Sequence, residues 1–180
     1  LEKFANPPDA KRNFILQQGL DAPAGESCPT RFSALMFQPR VVGSIILLAV
    51  ILQFPAIFLG LSGILWWSAL VPRLNPFDAV YNRTLGARPG ALRLSTAEPP
   101  RRFAQGMAGA FSMAIGFSLL FDMGTAAVIL EVMLLAALAA LIFGRFCLGS
   151  FLYHLSRGRS EFAVNTLPWK PGGISKSRAA

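Results

Sequence analysis

Two stretches of this chain contain almost no charge. Val41 to Val71 has no Asp, Glu, Lys or Arg, and Ala104 to Phe143 has only Asp122 and Glu131. A helix packed on a water-soluble core keeps one polar face, whereas these stretches are apolar all the way round. That pattern suits a chain dissolved in lipid, where each backbone N–H and C=O must be satisfied within its own segment. The expectation is an all-α, polytopic membrane protein.

The first block is too long for one span. Roughly thirty residues of helix measure ~46 Å, against a hydrocarbon core of ~30 Å. Gln53-Phe54-Pro55 sits near its middle, and proline starts a helix more readily than it continues one. The block therefore reads as a tight hairpin, with helices over 36–53 and 55–72. The second block repeats the plan, with a helix over 102–121, a turn at Asp122-Met123-Gly124 and a helix over 125–155. Arg-Phe-Ser-Ala (Arg31–Ala34) and Arg-Phe-Ala-Gln (Arg102–Gln105) open the two blocks, and the turns fall at nearly the same offset. Duplication of one hairpin explains this, and so does chance likeness of two short matches.

A transmembrane domain over 31–158 then carries an irregular N-terminal arm (1–30), with one surface helical turn, and a C-terminal tail (159–180). No secretory signal peptide is legible at the N-terminus.

The net charge of +8 suggests a nucleic-acid binder until the arginines are located. Arg31, Arg40, Arg73, Arg101, Arg102, Arg145 and Arg157 stand where apolar blocks end, and neither hairpin turn carries Lys or Arg. That is how membrane topology is written. Both termini and the 73–101 loop are expected in the cytoplasm of a bacterial inner membrane, with no nucleic-acid partner. Within the loop, Asn75 suits a helix cap, Pro76 the first helical position and Asp78 the third. Phe77, Val80, Tyr81 and Leu85 share a face, so 76–85 reads as a short interfacial helix.

Glu98–Phe111 (EPPRRFAQGMAGAF), Phe143–His154 (FGRFCLGSFLYH) and Asn75–Asn82 (NPFDAVYN) make the chain resemble a widespread family of uncharacterised bacterial four-helix membrane proteins, a domain of unknown function. The resemblance covers about residues 30–155 and implies a polytopic inner-membrane protein with no established activity. Many members end helix four with Cys-x-Gly-Cys, a pattern like a redox or metal-binding pair. Here the match is Cys147-Leu148-Gly149-Ser150, so a dithiol cycle within the motif is unavailable.

The candidate site residues are few. Cys147 is a candidate reactive thiol, and its other reading is a small buried hydrophobe. His154, the single histidine, is an interfacial residue or an axial ligand to a haem or pigment. On one continuous helix the two stand ~10 Å apart, too far to share a metal, so none is expected. Cys28 lies in a polar, Pro-rich segment, and no disulfide framework is implied. Glu131 sits within hydrocarbon, where it must either be hydrogen-bonded, to Gln53, Ser112, Ser118 or Thr125, or handle protons. Arg40 is placed to snorkel to the inner surface. Gly106, Ala110, Ala114 and Ser118 on helix three, with Ala136, Ala140 and Gly144 on helix four, form small-residue stripes that predict pairing of those helices.

These features predict a non-catalytic accessory or scaffold subunit, not an enzyme, docked on a larger inner-membrane complex. The expected partners are lipids and other membrane subunits, with no cofactor beyond lipid or pigment contacts. The alternative is a small transporter or redox-linked component using Glu131 and Cys147.

Overall fold

The computed structural model describes residues 8–21, 27–89 and 91–170. Its elements, in chain order, are α1 (Pro8–Gln17), α2 (Ser27–Leu35), α3 (Phe37–Leu52), α4 (Pro55–Leu70), α5 (Pro76–Arg83), α6 (Pro99–Leu120), α7 (Gly124–Ile142), α8 (Leu148–Ser156) and α9 (Ser160–Asn165). There is no strand among the described residues. Three helices are long and apolar enough to cross a membrane: Pro29–Leu52, which joins α2 to α3, then Pro99–Leu120 and Gly124–Ile142. The apolar α4 is shorter. This is a helical membrane protein.

The helix breaks have local causes. Pro39 has no N–H to give the Leu35 carbonyl, so the α2–α3 run is interrupted at Met36 and resumes at once. Pro55 starts α4 at its first position. Both hairpin turns are closed by a residue in the left-handed region, Gln53 at φ 50° and Asp122 at φ 56°.

α3, α4, α6 and α7 form the bundle, whose centre is filled by Ile46, Phe58, Leu61, Leu65, Ile115 and Leu134. Large apolar side chains on the outside, including Ile51, Val128 and Val132, are exposed on spanning helices, as a lipid-facing surface requires. A second core, built on Phe14, Ile15, Phe32, Leu35, Met36 and Cys147, lies at the end opposite the two hairpin turns. Together with α5, α8 and α9 it makes a cap on that end.

Two expectations are corrected here. The helix predicted over 125–155 stops at Ile142: Arg145 turns left-handed at φ 53°, the chain doubles back, and α8 begins after Cys147. Charge entering at Arg145 ends the lipid-compatible run. Within the N-terminal arm, α1 is a ten-residue helix rather than a single surface turn, with Phe14, Ile15 and Gln17 fully or almost fully buried. Beyond α8, α9 buries Ala163, and 171–180 lie outside the described residues.

The small-residue stripes also act differently from the expectation. The most extensive helix contact is α4 against α6, not α6 against α7. A Cβ at Gly109 would stand 3.0 Å from Trp66, and one at Gly116 would stand 2.8 Å from Leu59. The buried stripe of α6 is therefore Gln105, Gly109, Ser112 and Gly116, whereas Ala110 and Ala114 are only half-buried beside it. Gly106 meets Trp66 and Ala69 at about 4 Å, and Ser118 is buried. On α7 the buried face is Ala127, Glu131, Leu134 and Leu138. Ala136 is exposed and Ala140 half-buried. Gly144 is required by the helix end, because a Cβ there would lie 2.6 Å from the Ala140 carbonyl oxygen. Bulky Trp66 and Leu59 fill the space that the glycines leave, so a spacing of four small residues did not identify the partner helix.

Candidate functional site

The three sequence segments that carry the family resemblance meet in space, at the junction of bundle and cap. Asn75 caps α5 by accepting from the Phe77 N–H at 3.0 Å, which aims Asp78 inward. Pro99 and Pro100 start α6, and Arg101 on its first turn reaches Asp78 in the one ion pair among the described residues, with both side chains about nine-tenths buried. The same guanidinium nitrogen donates to Gln38 Oε1 at 2.8 Å, and Gln105 Nε2 donates to that oxygen at 2.8 Å. Asn75 Nδ2 donates to the second oxygen of Asp78 at 3.1 Å.

The atom assignments in this network are forced. Arginine can only donate, so Gln38 must present its carbonyl oxygen to Arg101. Gln105 must then turn its amide nitrogen toward that oxygen, which leaves Gln105 Oε1 as an acceptor. It is buried and has no partner.

A second network joins the third segment to α1. The Cys147 N–H donates to Gln17 Oε1 at 2.9 Å, and Gln18 Nε2 donates to Ser150 Oγ at 3.1 Å. Ser150 Oγ also lies 3.3 Å from Cys147 Sγ, so this hydroxyl faces the thiol. Gly149 stands between them because α8 crosses α6 there: a Cβ would be 2.7 Å from Ala104 Cα. His154 Nε2 is 3.1 Å from the Gln17 carbonyl, which can only accept, so this nitrogen carries the proton. Its Nδ1 is buried without a partner, and the ring packs on Phe162 at 4.7 Å. Burial holds the His154 pKa below its usual 6.5; the Gln17 hydrogen bond opposes this, and the nearby Arg159 charge adds to it.

The remaining predicted residues lie apart. Glu131 is buried near the opposite end of the bundle, where both carboxylate oxygens accept from Gln53 Nε2 at 3.1 and 3.2 Å. From Glu131 to the end of α7 is about 17 Å of helix, so Glu131 and Cys147 do not form one site. Arg40 is exposed on the first turn of α3. Cys147 is 5% exposed and makes no disulfide, and the side chain of Cys28 lies outside the described residues. Among the described residues, no three His, Cys, Asp or Glu side chains are grouped to hold a metal ion.

Sequence reading missed Gln17, Gln18, Gln38, Arg101 and Gln105. Two of them, Arg101 and Gln105, stand in the Glu98–Phe111 segment. A signal for Gln38 existed as well, since a glutamine two residues into a spanning helix needs an internal partner.

No curated protein and no solved structure matches the chain. A family model described as a domain of unknown function, DUF4395, matches residues 31–157, which takes in the whole bundle, both polar networks except for α1, and most of the cap. The chain belongs to that family.

Proposed function

We propose that this is a four-span protein of the bacterial inner membrane, with both chain ends cytoplasmic, that serves as a non-catalytic accessory subunit of a larger membrane complex. In this reading α4 is the fourth span. It has 16 residues, about 24 Å of helix, and lies along the longer α6, so modest local thinning of the bilayer accommodates it. The placement of every described Lys and Arg at the cap end, with none at the hairpin turns, supports the orientation.

The observation that carries the accessory reading is the apolar plug between the two ends. Ile46, Phe58 and Ile115 have no exposed surface at all, and they separate the Gln53–Glu131 pair from the Arg101–Asp78 network. A transporter needs a polar route or a gap where this plug stands. A redox-linked role through Glu131 and Cys147 has weaker support, because Glu131 lies eleven residues before the end of α7 and Cys147 beyond it.

Purification from native membranes in mild detergent tests this, with quantitation of everything that co-migrates. A stoichiometric membrane partner is expected. A monodisperse single chain that drives solute uptake in proteoliposomes overturns the reading. Thiols engineered into residues 86–89 or 91–97 should react only from the cytoplasm, and labelling from the periplasm defeats the topology.

A further inference from the structure

An open groove of about 440 Å³ lies at the cap end, with α6 as its floor. Trp66 and Ala69 of α4 line one side, and Tyr153 of α8 with Arg157, which ends that helix, line the other. Arg102, Gly106 and Ala110 recur every four residues on α6, so they share a face and run along the floor. From Arg102 to Ala110 is ~12 Å of helix, leading from the start of a helix long enough to span toward the hydrocarbon. The groove is therefore basic at its mouth and apolar below, where Met107 adds to the lining. A Cβ at Gly106 would have no neighbour nearer than Trp66 at 3.9 Å, so this part of the floor lies open.

The mouth has charge to offer. Arg102 Nε donates to the Ala69 carbonyl at 2.8 Å, which fixes the guanidinium against the groove wall. Its terminal nitrogens have no hydrogen-bond partner among the described residues. Arg157 lies over the Tyr153 ring at 5.5 Å and likewise has no acidic partner there. The one ion pair among the described residues is Arg101 with Asp78, and neither Asp nor Glu lines the groove. Two arginines without a carboxylate, at the boundary of a bilayer, complement a phosphate. A free phosphate would use the mouth alone. The apolar floor that continues from it matches an acyl chain.

We propose that this groove binds an anionic phospholipid, with its phosphate between Arg102 and Arg157 and one acyl chain entering over Gly106 and Ala110 beside Met107. The site needs only that the bundle lies in a bilayer, so it is independent of the accessory-subunit reading.

The test uses the full chain in phosphatidylcholine vesicles and a phosphatidylglycerol probe with a diazirine near the carboxyl end of one acyl chain. Mass spectrometry of the labelled peptides should place the label on residues 103–110 and on Trp66. An arginine near the membrane surface is worth about fivefold in affinity for an anionic lipid. Unlabelled phosphatidylglycerol should therefore displace the probe about twentyfold better, per mole, than added phosphatidylcholine. Arg157→Gln and Arg102→Gln should each cut that preference about fivefold. Arg83→Gln, exposed on α5 and outside the groove, should leave it unchanged. Equal losses in Arg83→Gln and Arg157→Gln would reduce the preference to net charge and overturn the proposal, as would label elsewhere on the bundle. Displacement by millimolar glycerol phosphate would make the ligand a free phosphate and overturn the lipid. Should Arg102→Gln fail to accumulate, Arg157→Gln and Arg83→Gln still decide the matter.

Discussion

Arg101→Leu is the sharpest single perturbation this structure offers. The substitution removes the cation but leaves the Asp78 carboxylate about nine-tenths buried, with Asn75 Nδ2 as its remaining side-chain donor. Gln38 loses one of its two short hydrogen bonds and keeps the one from Gln105. Breaking a buried ion pair from one side costs ~3–5 kcal/mol, because the surviving charge is stranded. For a chain of this size that corresponds to a fall in Tm of about 6–20 °C. Arg101→Leu combined with Asp78→Leu strands no charge and should recover at least half of the loss, a non-additivity expected only of contacting residues. Heating detergent-solubilised protein in steps and measuring the folded fraction by size exclusion gives the numbers. Melting of Arg101→Leu within about 2 °C of wild type, or a double variant that loses the sum of both singles, would refute the reasoning.

Other expectations follow from single contacts. Because the His154 pKa is lowered on folding, the unfolded chain takes up the proton first; stability should be flat above pH 6.5 and fall as pH drops below it. His154→Gln can still donate to the Gln17 carbonyl and should flatten that slope, and an unchanged slope would place the titration elsewhere. Gly149→Ala should lower Tm sharply, since its Cβ meets Ala104 backbone at 2.7 Å, whereas Gly63→Ala, with nothing within 4 Å, should be neutral or better; equal effects would dismiss the α6–α8 crossing. Glu131→Gln and Glu131→Leu should both reach wild-type abundance, because Gln53 is exposed and also donates to Val50, so losing the carboxylate strands nothing. Collapse of the Leu variant alone would show that the pair is structurally required.

The apolar helices were legible because lipid imposes one blunt demand, an uninterrupted apolar surface, and Val41–Val71 and Ala104–Phe143 present it, although Pro55–Leu70 is shorter than the three helices long enough to span. Asn75-Pro76 was legible for a different reason: capping is local chemistry, and Asn75 does accept from the Phe77 N–H. α1 escaped because its buried face mixes polar residues with apolar ones. Asn13, Gln17 and Gln18 are all nearly inaccessible, and hydrophobic periodicity does not register a face that is buried by hydrogen bonds. The end of α7 escaped because the residues after Ile142 stay apolar across most of the break. Only Gly144-Arg145 marks it, and neither residue alone forbids a helix. Helix pairing was the least legible, since a small residue shows where a neighbour can approach but not which neighbour does.

The same contrast bears on where function can lie. Toward the hairpin turns the bundle holds one polar pair, Gln53 and Glu131, above a plug of fully buried Ile46, Phe58 and Ile115. Toward the cap it holds two hydrogen-bonded networks, the ion pair, the described thiol, the imidazole and a cavity, drawn from segments as distant as Gln17 and His154. Forming them requires α1, α5, α6 and α8 to be docked at once, at a cost in ordering that an inert anchor of four helices would not need. Two of these networks also leave buried polar atoms without partners, at Gln105 Oε1, Gln17 Nε2 and His154 Nδ1. Buried groups of this kind are ordinarily completed by ordered water or by another polar group. Binding is therefore to be tested first at the cap end of the plug, where substitutions should change any partner binding before those near Glu131 do.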